Sequence, residues 1–369
     1  MIERVTVEKV DEESRFVVKR VQMLNGGLFF GRQMPINNSM FACEKSRKYY
    51  NKPILDCPIQ LHHIHPKVKG GSWHYDDSFH LARQHAKENK RIFIAYHQRT
   101  QNQIEKIDWD ISMDDFTELC NQGLTFLPLF IPMSATSEEV TTHYALALSQ
   151  LKGNQQIIPI ISANHNILYF SRIIQSFFGK NFMIGIHFAS PKSSADCLHN
   201  LLELMQINAS IPENSDTSLI IGFCTEKFYE KMKVSGSFVS TTFGIDIPSQ
   251  RLMTPYQIKA MMYGKSQKEI SDEIEPEYVY LRFEGGFSSA QQQIAWYEDN
   301  LNEIILSGIP ISAGLTRLQA IWWSNFLGQQ EDFKLINETV LQSIGMKKLI
   351  ETKSRWCTYI DNFTQSIDS

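Results

Sequence analysis

The sequence predicts an α/β protein built on a (β/α)8 barrel, with a β-rich N-terminal extension and a C-terminal helical segment. From residue 54 onward, short apolar runs alternate with segments long enough to form helices. The runs are nearly continuous in Ile, Leu, Val and Phe, which is typical of parallel strands buried on both faces. A chain of 369 residues is long enough for one such barrel with small additions.

The individual strands follow from these runs. The first 36 residues alternate like antiparallel strands, and Asn25-Gly26-Gly27 supplies a turn because Asn and Gly tolerate positive φ. Nine apolar runs then predict about eight to nine strands, which indicates the eight-stranded barrel: Ile54–Leu61, Ile92–Tyr96, Leu124–Ile131, Ile157–Ile161, Phe182–Phe188, Leu219–Phe223, Phe238–Phe243, Tyr278–Phe283 and Ile309–Ser312.

Helices are expected between the strands and at the C-terminal end. The stretch from Ser137 to Leu151 begins with a capping residue and two carboxylates, and its apolar residues then follow at helical spacing. The remaining predicted helices are Ser194–Met205, Ala290–Leu306, Leu315–Leu327 and Phe333–Thr352. We therefore expect a β appendage over residues 1–45, the barrel over 46–315 and a helical segment over 316–369.

Composition excludes several classes of protein. The net charge of −4 gives no general attraction to nucleic acid, and no apolar run approaches the eighteen or so residues of a membrane span. The charged N-terminus lacks the apolar core of a signal peptide, so we expect a cytoplasmic protein with no membrane association. The six cysteines form no CxxC pair, and no dinucleotide or P-loop fingerprint occurs. We expect reduced thiols, no metal and no cofactor.

Candidate functional residues follow the predicted strands, because barrel chemistry takes place at the carboxyl ends of the strands. We expect one mouth to collect the candidate site residues, which are Tyr96, His97, Arg99, Asn164, His165, His187, Thr241, Asp246 and Glu284. The pair His63-x-His65 suggests a different possibility. Two imidazoles on one side of a strand end are what a metal-dependent barrel hydrolase needs.

The order of segments resembles the tRNA-guanine transglycosylase family. LFFGRQMPI (28–36) resembles the family's opening hairpin segment "tPxFMPVGT", and residues 157–188 are similar to its "GIVQGG" strand, helix and "YAIGGLSVGE" strand. Residues 219–251, LIIGFCTEKFYEKMKVSGSFVSTTFGIDIPSQR, resemble "YLMGVGTPEDLLEAVARGVDMFDCVLPTR". The glycines Gly222 and Gly236 keep the family's separation.

The departures from the family pattern concern its chemistry. The family uses a carboxylate nucleophile that displaces the base from ribose. The matched glycines place that position at Thr241, and the family's other early carboxylate falls near Tyr96-His97-Gln98. The base-recognition Asp falls near Phe130 and Ile131, and only Cys357 remains of the family's zinc-binding cysteines. The resemblance thus implies a barrel that has lost the usual carboxylates and the zinc site.

Three functions are consistent with these features. The first is a barrel that binds a nucleobase or deazaguanine, a nucleic acid, or a protein from the same operon, in a bacterial antiphage modification system of the kind where such divergent relatives occur. The second is an active pentosyltransferase with relocated residues, Asp246 as nucleophile and Glu284 or His97 as acid/base. The third is a metal-dependent hydrolase that uses His63 and His65.

Overall fold

A three-stranded antiparallel sheet begins the computed structural model. Its strands are β1 (Ile2–Val10), β2 (Val17–Met23) and β3 (Leu28–Phe30), in the order β1-β2-β3. Gly26 has a φ of +80° in the turn that joins β2 to β3, so the sequence correctly identifies this turn. The structure describes residues 1–37, 57–64, 75, 77–97, 99, 101–188, 195–225, 240–249, 279–281, 286–288, 317–353 and 357–358.

Seven parallel strands follow and form a nearly closed, barrel-like sheet. Their order in space is their order in the chain, β4 to β10. Continuous apolar sequence with burial on both faces is the reason that these segments form a parallel sheet. The strands are β4 (Ile59–Ile64), β5 (Ile92–His97), β6 (Phe126–Ile131), β7 (Gln156–Ser162), β8 (Met183–His187), β9 (Leu219–Phe223) and β10 (Ile247–Ser249).

Helices connect most of these strands. They are α1 (Asp77–Glu88), α2 (Gln101–Ile104), α3 (Trp109–Asn121), α4 (Ser137–Gln150), α5 (Ile167–Phe177) and α6 (Ala195–Ala209). The predicted helix that begins at Ser137 is present, although its N-cap is Thr136. The Thr136 hydroxyl accepts a hydrogen bond from the Glu139 amide, and the Glu139 carboxylate accepts one from the Thr136 amide, which completes a capping box.

The interior of the barrel is filled by alternate residues of its strands. One buried apolar cluster contains Ile59 and Leu61 of β4, Ile158 and Ile160 of β7, and their counterparts on the other strands. The same cluster also contains Ile2, Val5, Val21 and Met23 of the N-terminal sheet. That sheet therefore packs against the barrel core.

The segment after β3 lies between the two edge strands of the barrel. The amide of Gln33 donates to the carbonyl of Asp246, which immediately precedes β10 (3.0 Å). Three residues later, the Ile36 amide donates to the Ile59 carbonyl, and the Leu61 amide donates to the Ile36 carbonyl. Residues 31–36 thus connect the β10 edge with the β4 edge and help to close the ring.

The C-terminal part contains α7 (Arg317–Leu341) and α8 (Met346–Glu351). The first of these is one continuous helix where the sequence suggested an interruption near residue 330. It is hydrogen bonded to the segment after β3, because the Met34 amide donates to Gln330 and the Asn337 amide group donates to the Arg32 carbonyl. None of the described helices combines the length and the apolar character that a membrane crossing requires.

Two strand predictions differ from the structure. The run Phe238–Phe243 was expected to form a strand, but residues 240–242 are helical and β10 begins only at Ile247. Near residue 280, β11 (Val279–Leu281) pairs with β12 (Gly286–Ser288) in a separate antiparallel sheet. Ile309–Ser312 and the helix Ala290–Leu306 lie outside the described residues. The described strands of the barrel therefore number seven, and an eighth is not among them.

Candidate functional site

The carboxyl ends of the seven barrel strands bring together a ring of inward-facing side chains. Side chains alternate along a strand, and the inner positions are those that belong to the interior apolar cluster. The last inward position on each strand is mostly polar or aromatic. We call the resulting set the mouth ring: His63, Tyr96, Phe130, Ser162, His187, Phe223 and Ser249. All seven are buried.

On one side of the mouth ring, Tyr96 connects His63 with Phe223. The Tyr96 hydroxyl shares a hydrogen bond with the His63 imidazole, 3.1 Å from Nδ1 and 3.0 Å from Nε2. The edge-to-face contact between Tyr96 and Phe223 has ring centroids 4.4 Å apart. Such contacts hold aromatic side chains in one orientation. The Tyr96 side chain therefore has a fixed orientation in the mouth ring.

On the other side, His187 lies between Phe130 and Cys224. The ring of Phe130 meets the imidazole edge to face, with centroids 5.8 Å apart, and the Cys224 thiol lies 3.7 Å from His187 Nε2. Cys224 directly follows β9 and has a φ of +61°. A non-glycine residue rarely adopts this conformation, which costs on the order of 1–3 kcal/mol and occurs often at functional sites.

Two serines complete the ring. Ser162 accepts a hydrogen bond from the Asn164 amide (3.1 Å). The Ser249 hydroxyl is fully buried, and it has no hydrogen-bond partner among the residues that the structure describes. Thr225 donates only to the Ser249 backbone carbonyl (3.4 Å). A buried hydroxyl is costly to leave without a hydrogen-bond partner.

His97 and Arg99 belong to a second polar group behind the mouth ring. His97 alternates with Tyr96 and so faces the helices, where its Nδ1 lies 3.3 Å from a carboxylate oxygen of Asp115 in α3. Arg99 forms an ion pair with the same carboxylate. Burial lowers the pKa of His97, although Asp115 acts in the opposite direction. These residues hold α3 against the sheet and do not lie in the mouth ring.

Asn164 and His165 lie just beyond β7, where a buried asparagine fixes their loop. The Asn200 side chain donates to the carbonyls of Ala163 (3.0 Å) and His165 (2.8 Å). His165 itself is buried, with Nδ1 3.2 Å from the Asn166 carbonyl, and burial lowers the pKa of its imidazole. Both residues therefore lie at the carboxyl end of the barrel strands.

Asp246 and Thr241 lie at the opposite, amino-terminal end, which corrects the expectation that they join the mouth. Both precede β10, and Asp246 accepts hydrogen bonds from Lys19 Nζ and from the Ile220 amide, each 2.8 Å long. The reason is that the run Phe238–Phe243 was predicted to be a strand. The helical turn that contains Thr241 ends at Gly244, which has a φ of +86°, so the chain enters the sheet later than the apolar pattern indicated.

The structure does not test the last two groups of predicted site residues, which are Glu284 and the histidine pair His63 and His65. Glu284 and His65 lie outside the described residues. In the described ranges there is no group of three or more His, Cys, Asp or Glu side chains with the geometry of a metal site. His63, half of the proposed metal-binding pair, shares its hydrogen bond with Tyr96.

Sequence reasoning missed Ser249 and Cys224. Ser249 was overlooked because β10 was placed too early. Cys224 was overlooked because no cysteine has CxxC spacing or the sequence context of a nucleophile, although Cys224 directly follows a correctly predicted strand that lies beside the His187 strand. Comparison of the chain with protein-family models, with curated proteins and with solved structures finds no match.

Proposed function

We propose that this protein is a tRNA-guanine transglycosylase-like barrel that binds a neutral, planar, nucleobase-type ligand at the mouth ring and lacks the carboxylates for ordinary base exchange. The observation that carries the proposal is the composition of the ring. It combines two imidazoles, a phenol, two phenyl rings and two hydroxyls, with no carboxylate among its seven members. No cofactor is needed for such binding.

This composition suits a heteroaromatic ligand for two reasons. Phe130, Tyr96 and Phe223 place three buried aromatic rings at the carboxyl ends of their strands, and a flat ring bound there would contact them. Imidazole and hydroxyl groups can each donate or accept a hydrogen bond, so they match the mixed donor and acceptor edge of a base. Pockets that combine an aromatic wall with a few convergent polar groups are typical of small-molecule sites.

The resemblance supports the loss of the nucleophile once the strand is placed correctly. In the family segment "GVDMFDCVLPTR", the second Asp lies three residues after the first. The spacing of Gly222 and Gly236 places that position at Thr241, whereas a match of Gly244-Ile245-Asp246 to "GVD" places it at Ser249, the last residue of β10. Under either match the position holds a hydroxyl and not a carboxylate. A serine hydroxyl is not an anion at neutral pH, and it needs a general base to become comparably nucleophilic.

The relocated-nucleophile alternative, with Asp246 attacking ribose, receives no support from the described geometry. Its carboxylate is bound to Lys19 at the amino end of the barrel, and Asp246 is 1 % exposed. A nucleic acid or an operon-encoded partner remains an alternative occupant, and an antiphage role is the context that the resemblance suggests. Neighbouring genes for deazaguanine synthesis would support that context.

Calorimetric titration with guanine, 7-deazaguanine and adenine tests the binding proposal. We expect one of the bases to bind, and Phe130→Ala to weaken its binding by roughly tenfold because an aromatic contact is lost. Leu168→Ala, at an exposed position on α5, is the matched control and should bind as the parent does. The absence of binding by any base, or an unchanged affinity in Phe130→Ala, contradicts the proposal.

A labelled-guanine assay with bulk tRNA tests the loss of exchange, with an active transglycosylase as positive control. We expect no incorporation above background, because a covalent mechanism without its nucleophile loses several orders of magnitude in rate. Robust incorporation that Asp246→Ala leaves intact would show that exchange proceeds through another group. Incorporation abolished by that substitution, in a variant whose far-ultraviolet circular dichroism shows that it is still folded, would favour the relocated-nucleophile alternative.

A further inference from the structure

We propose that Cys224 is a thiol nucleophile, activated by His187, that attacks an amide or amidine carbon of the molecule bound at the mouth ring. The proposal deepens the function above and rests on it for the location of the ligand. The reactivity of the thiol is a separate property and can be measured without that ligand.

The first support is the pairing of the two groups. The Cys224 sulfur lies 3.7 Å from His187 Nε2, within the range of a thiol–imidazole hydrogen bond. His187 and Phe223 are register partners on the adjacent strands β8 and β9, so the sheet itself fixes the distance between the imidazole and the next residue, Cys224. An imidazole at hydrogen-bond distance is the base that activates a cysteine nucleophile.

The second support is the place of the thiol at the end of β9. The positive φ of Cys224 turns the chain sharply at the end of β9. On the neighbouring strand, the Ser249 hydroxyl is buried at the register partner of Phe223 and has no hydrogen-bond partner within the described residues. This hydroxyl is an available donor or acceptor for a bound molecule, beside the residue that precedes the thiol.

The other buried cysteines have different surroundings. The Cys57 thiol donates to the carbonyls of Met34 and Ile59, and the Cys120 thiol donates to Gln150 and Gln155. Burial raises the pKa of the Cys197 thiol to about 12. The Cys224 thiol contacts an imidazole. A matched set of internal controls therefore exists in the chain.

The chemical step balances with water as the only co-reactant. His187 takes the thiol proton, and the sulfur forms a bond to the trigonal carbon while the π pair moves to its oxygen or nitrogen. The pair then returns and expels the amine, which receives its proton from His187. A water molecule, deprotonated by His187, replaces the sulfur on the carbon and restores the thiol. The net reaction is hydrolysis of one C–N bond.

Alkylation with 2-chloroacetamide, mapped to individual cysteines by mass spectrometry, tests the proposal. The reagent is small and neutral, which suits a thiol that is 2 % exposed. At pH 6.5 an ordinary thiol with a pKa of about 8.5 is only about 1 % thiolate. We expect Cys224 to react at this pH at least tenfold faster in the parent protein than in His187→Gln, with the difference narrowing as the pH rises.

The titratable groups that the described structure places in the mouth ring are His63, Tyr96 and His187, so the pH profile is assigned by comparing His187→Gln with His63→Gln. Slow alkylation of Cys57 and Cys197 in each variant shows that the protein is still folded. His199→Gln, exposed on α6, is the neutral control.

A Cys224 no faster than Cys57 at pH 6.5, or one whose rate is unchanged in His187→Gln, overturns the inference. The base titrations remain informative in that case. If a base binds but the thiol is unreactive, the nucleophile proposal is wrong and the binding proposal stands. If the thiol is reactive but no base binds, the binding proposal is wrong and the reactivity of Cys224 stands.

Discussion

At the scale of single residues, a buried ion pair fixes the amino end of the barrel. Lys19 of β2 and Asp246 before β10 are 0 % and 1 % exposed at their side chains. The Lys19 ammonium also donates to the Ser218 carbonyl (2.7 Å), and burial lowers its pKa although Asp246 acts to raise it. The nearby Arg32 guanidinium lies over the Phe16 ring, and burial lowers its pKa to about 10. Removal of one partner from a buried ion pair leaves the other charge uncompensated and lowers the stability of the fold.

We therefore predict that Lys19→Met and Asp246→Asn each lower the free energy of unfolding by about 3–5 kcal/mol, because each leaves an uncompensated buried group. The double variant should cost less than the sum of the two, since the pair loses both of its charges at once, although the buried Arg32 guanidinium then loses Asp246 as its counter-charge. Urea denaturation of the four proteins gives the coupling energy. Additive losses would show that the two side chains do not stabilise each other.

His97 gives the stability of the protein a pH dependence. Burial lowers its pKa below the ordinary 6.5, with Asp115 and Arg99 as its charged neighbours. As the pH falls through 6.5, His97 in the unfolded chain binds a proton that buried His97 in the folded protein does not bind. The contribution of His97 to the free energy of unfolding is therefore fully present above pH 6.5 and is lost as the pH falls below it. We predict a smaller decline between pH 7.5 and 5.5 in His97→Gln, measured by urea denaturation. An equal decline in both proteins would show that the pH dependence of stability comes from another group, and His165, whose pKa is also lowered by burial, is the next candidate.

At the scale of elements, the contact between β8 and β9 depends on a residue without a side chain. A Cβ atom at Gly185 would lie 2.7 Å from the Phe223 ring and 2.8 Å from a side-chain carbon of Ile160. Real Cβ atoms do not approach other atoms so closely. The absence of a side chain at Gly185 thus leaves room for Phe223, which in turn contacts Tyr96.

We predict that Gly185→Ala lowers the free energy of unfolding by about 1–3 kcal/mol through overpacking. Phe223→Leu in the same chain should recover part of this loss, because it removes the ring atoms that the new methyl group meets. Thermal unfolding of the single and double variants measures both effects. Gly153→Ala, where nothing lies within 4 Å but φ is +61°, separates backbone strain from crowding.

The same elements show what the sequence could predict. The apolar run Leu219–Phe223 coincides with β9, because a short continuous run between polar residues has one efficient way to be buried. The run Phe238–Phe243 failed because its apolar residues are equally compatible with a buried helical turn, and only the later Gly244 determines where that turn ends. An apolar run in the sequence therefore shows that a segment is buried more reliably than it shows whether the segment is a strand or a helical turn.

Prediction of the site was limited in the same way. Tyr96 and His187 were identified because they end runs that were placed correctly. Ser249 depended on the misplaced strand, and His97 was assigned to the mouth although strand alternation directs it toward α3. The contact between Cys224 and His187 joins residues 37 positions apart. No local pattern reports such a distance, since it depends on the pairing of two strands.

At the scale of the whole molecule, the N-terminal sheet is part of the barrel core. Val5 and Val21 are cross-strand partners on β1 and β2, and both belong to the buried cluster that fills the barrel. The Asn214 amide donates to the Val7 carbonyl (2.7 Å), and the Thr217 amide donates to the Val5 carbonyl (2.9 Å), so β1 is also bound to the segment that leads into β9. The predicted boundary near residue 45 therefore separates segments that share one core.

We accordingly predict that Val21→Asp destabilises the barrel and the sheet together. An unpaired carboxylate in this core should cost more than about 3 kcal/mol, and it acts at a position that is 0 % exposed. Leu24→Asp is the matched control, because Leu24 lies one residue past β2 and is 58 % exposed. Circular dichroism and Tyr/Trp fluorescence should show one coincident transition that shifts only in Val21→Asp. If Val21→Asp instead produces a separate early transition while the barrel unfolds as in the parent, the N-terminal sheet is an independent appendage, as the domain boundary at residue 45 predicts.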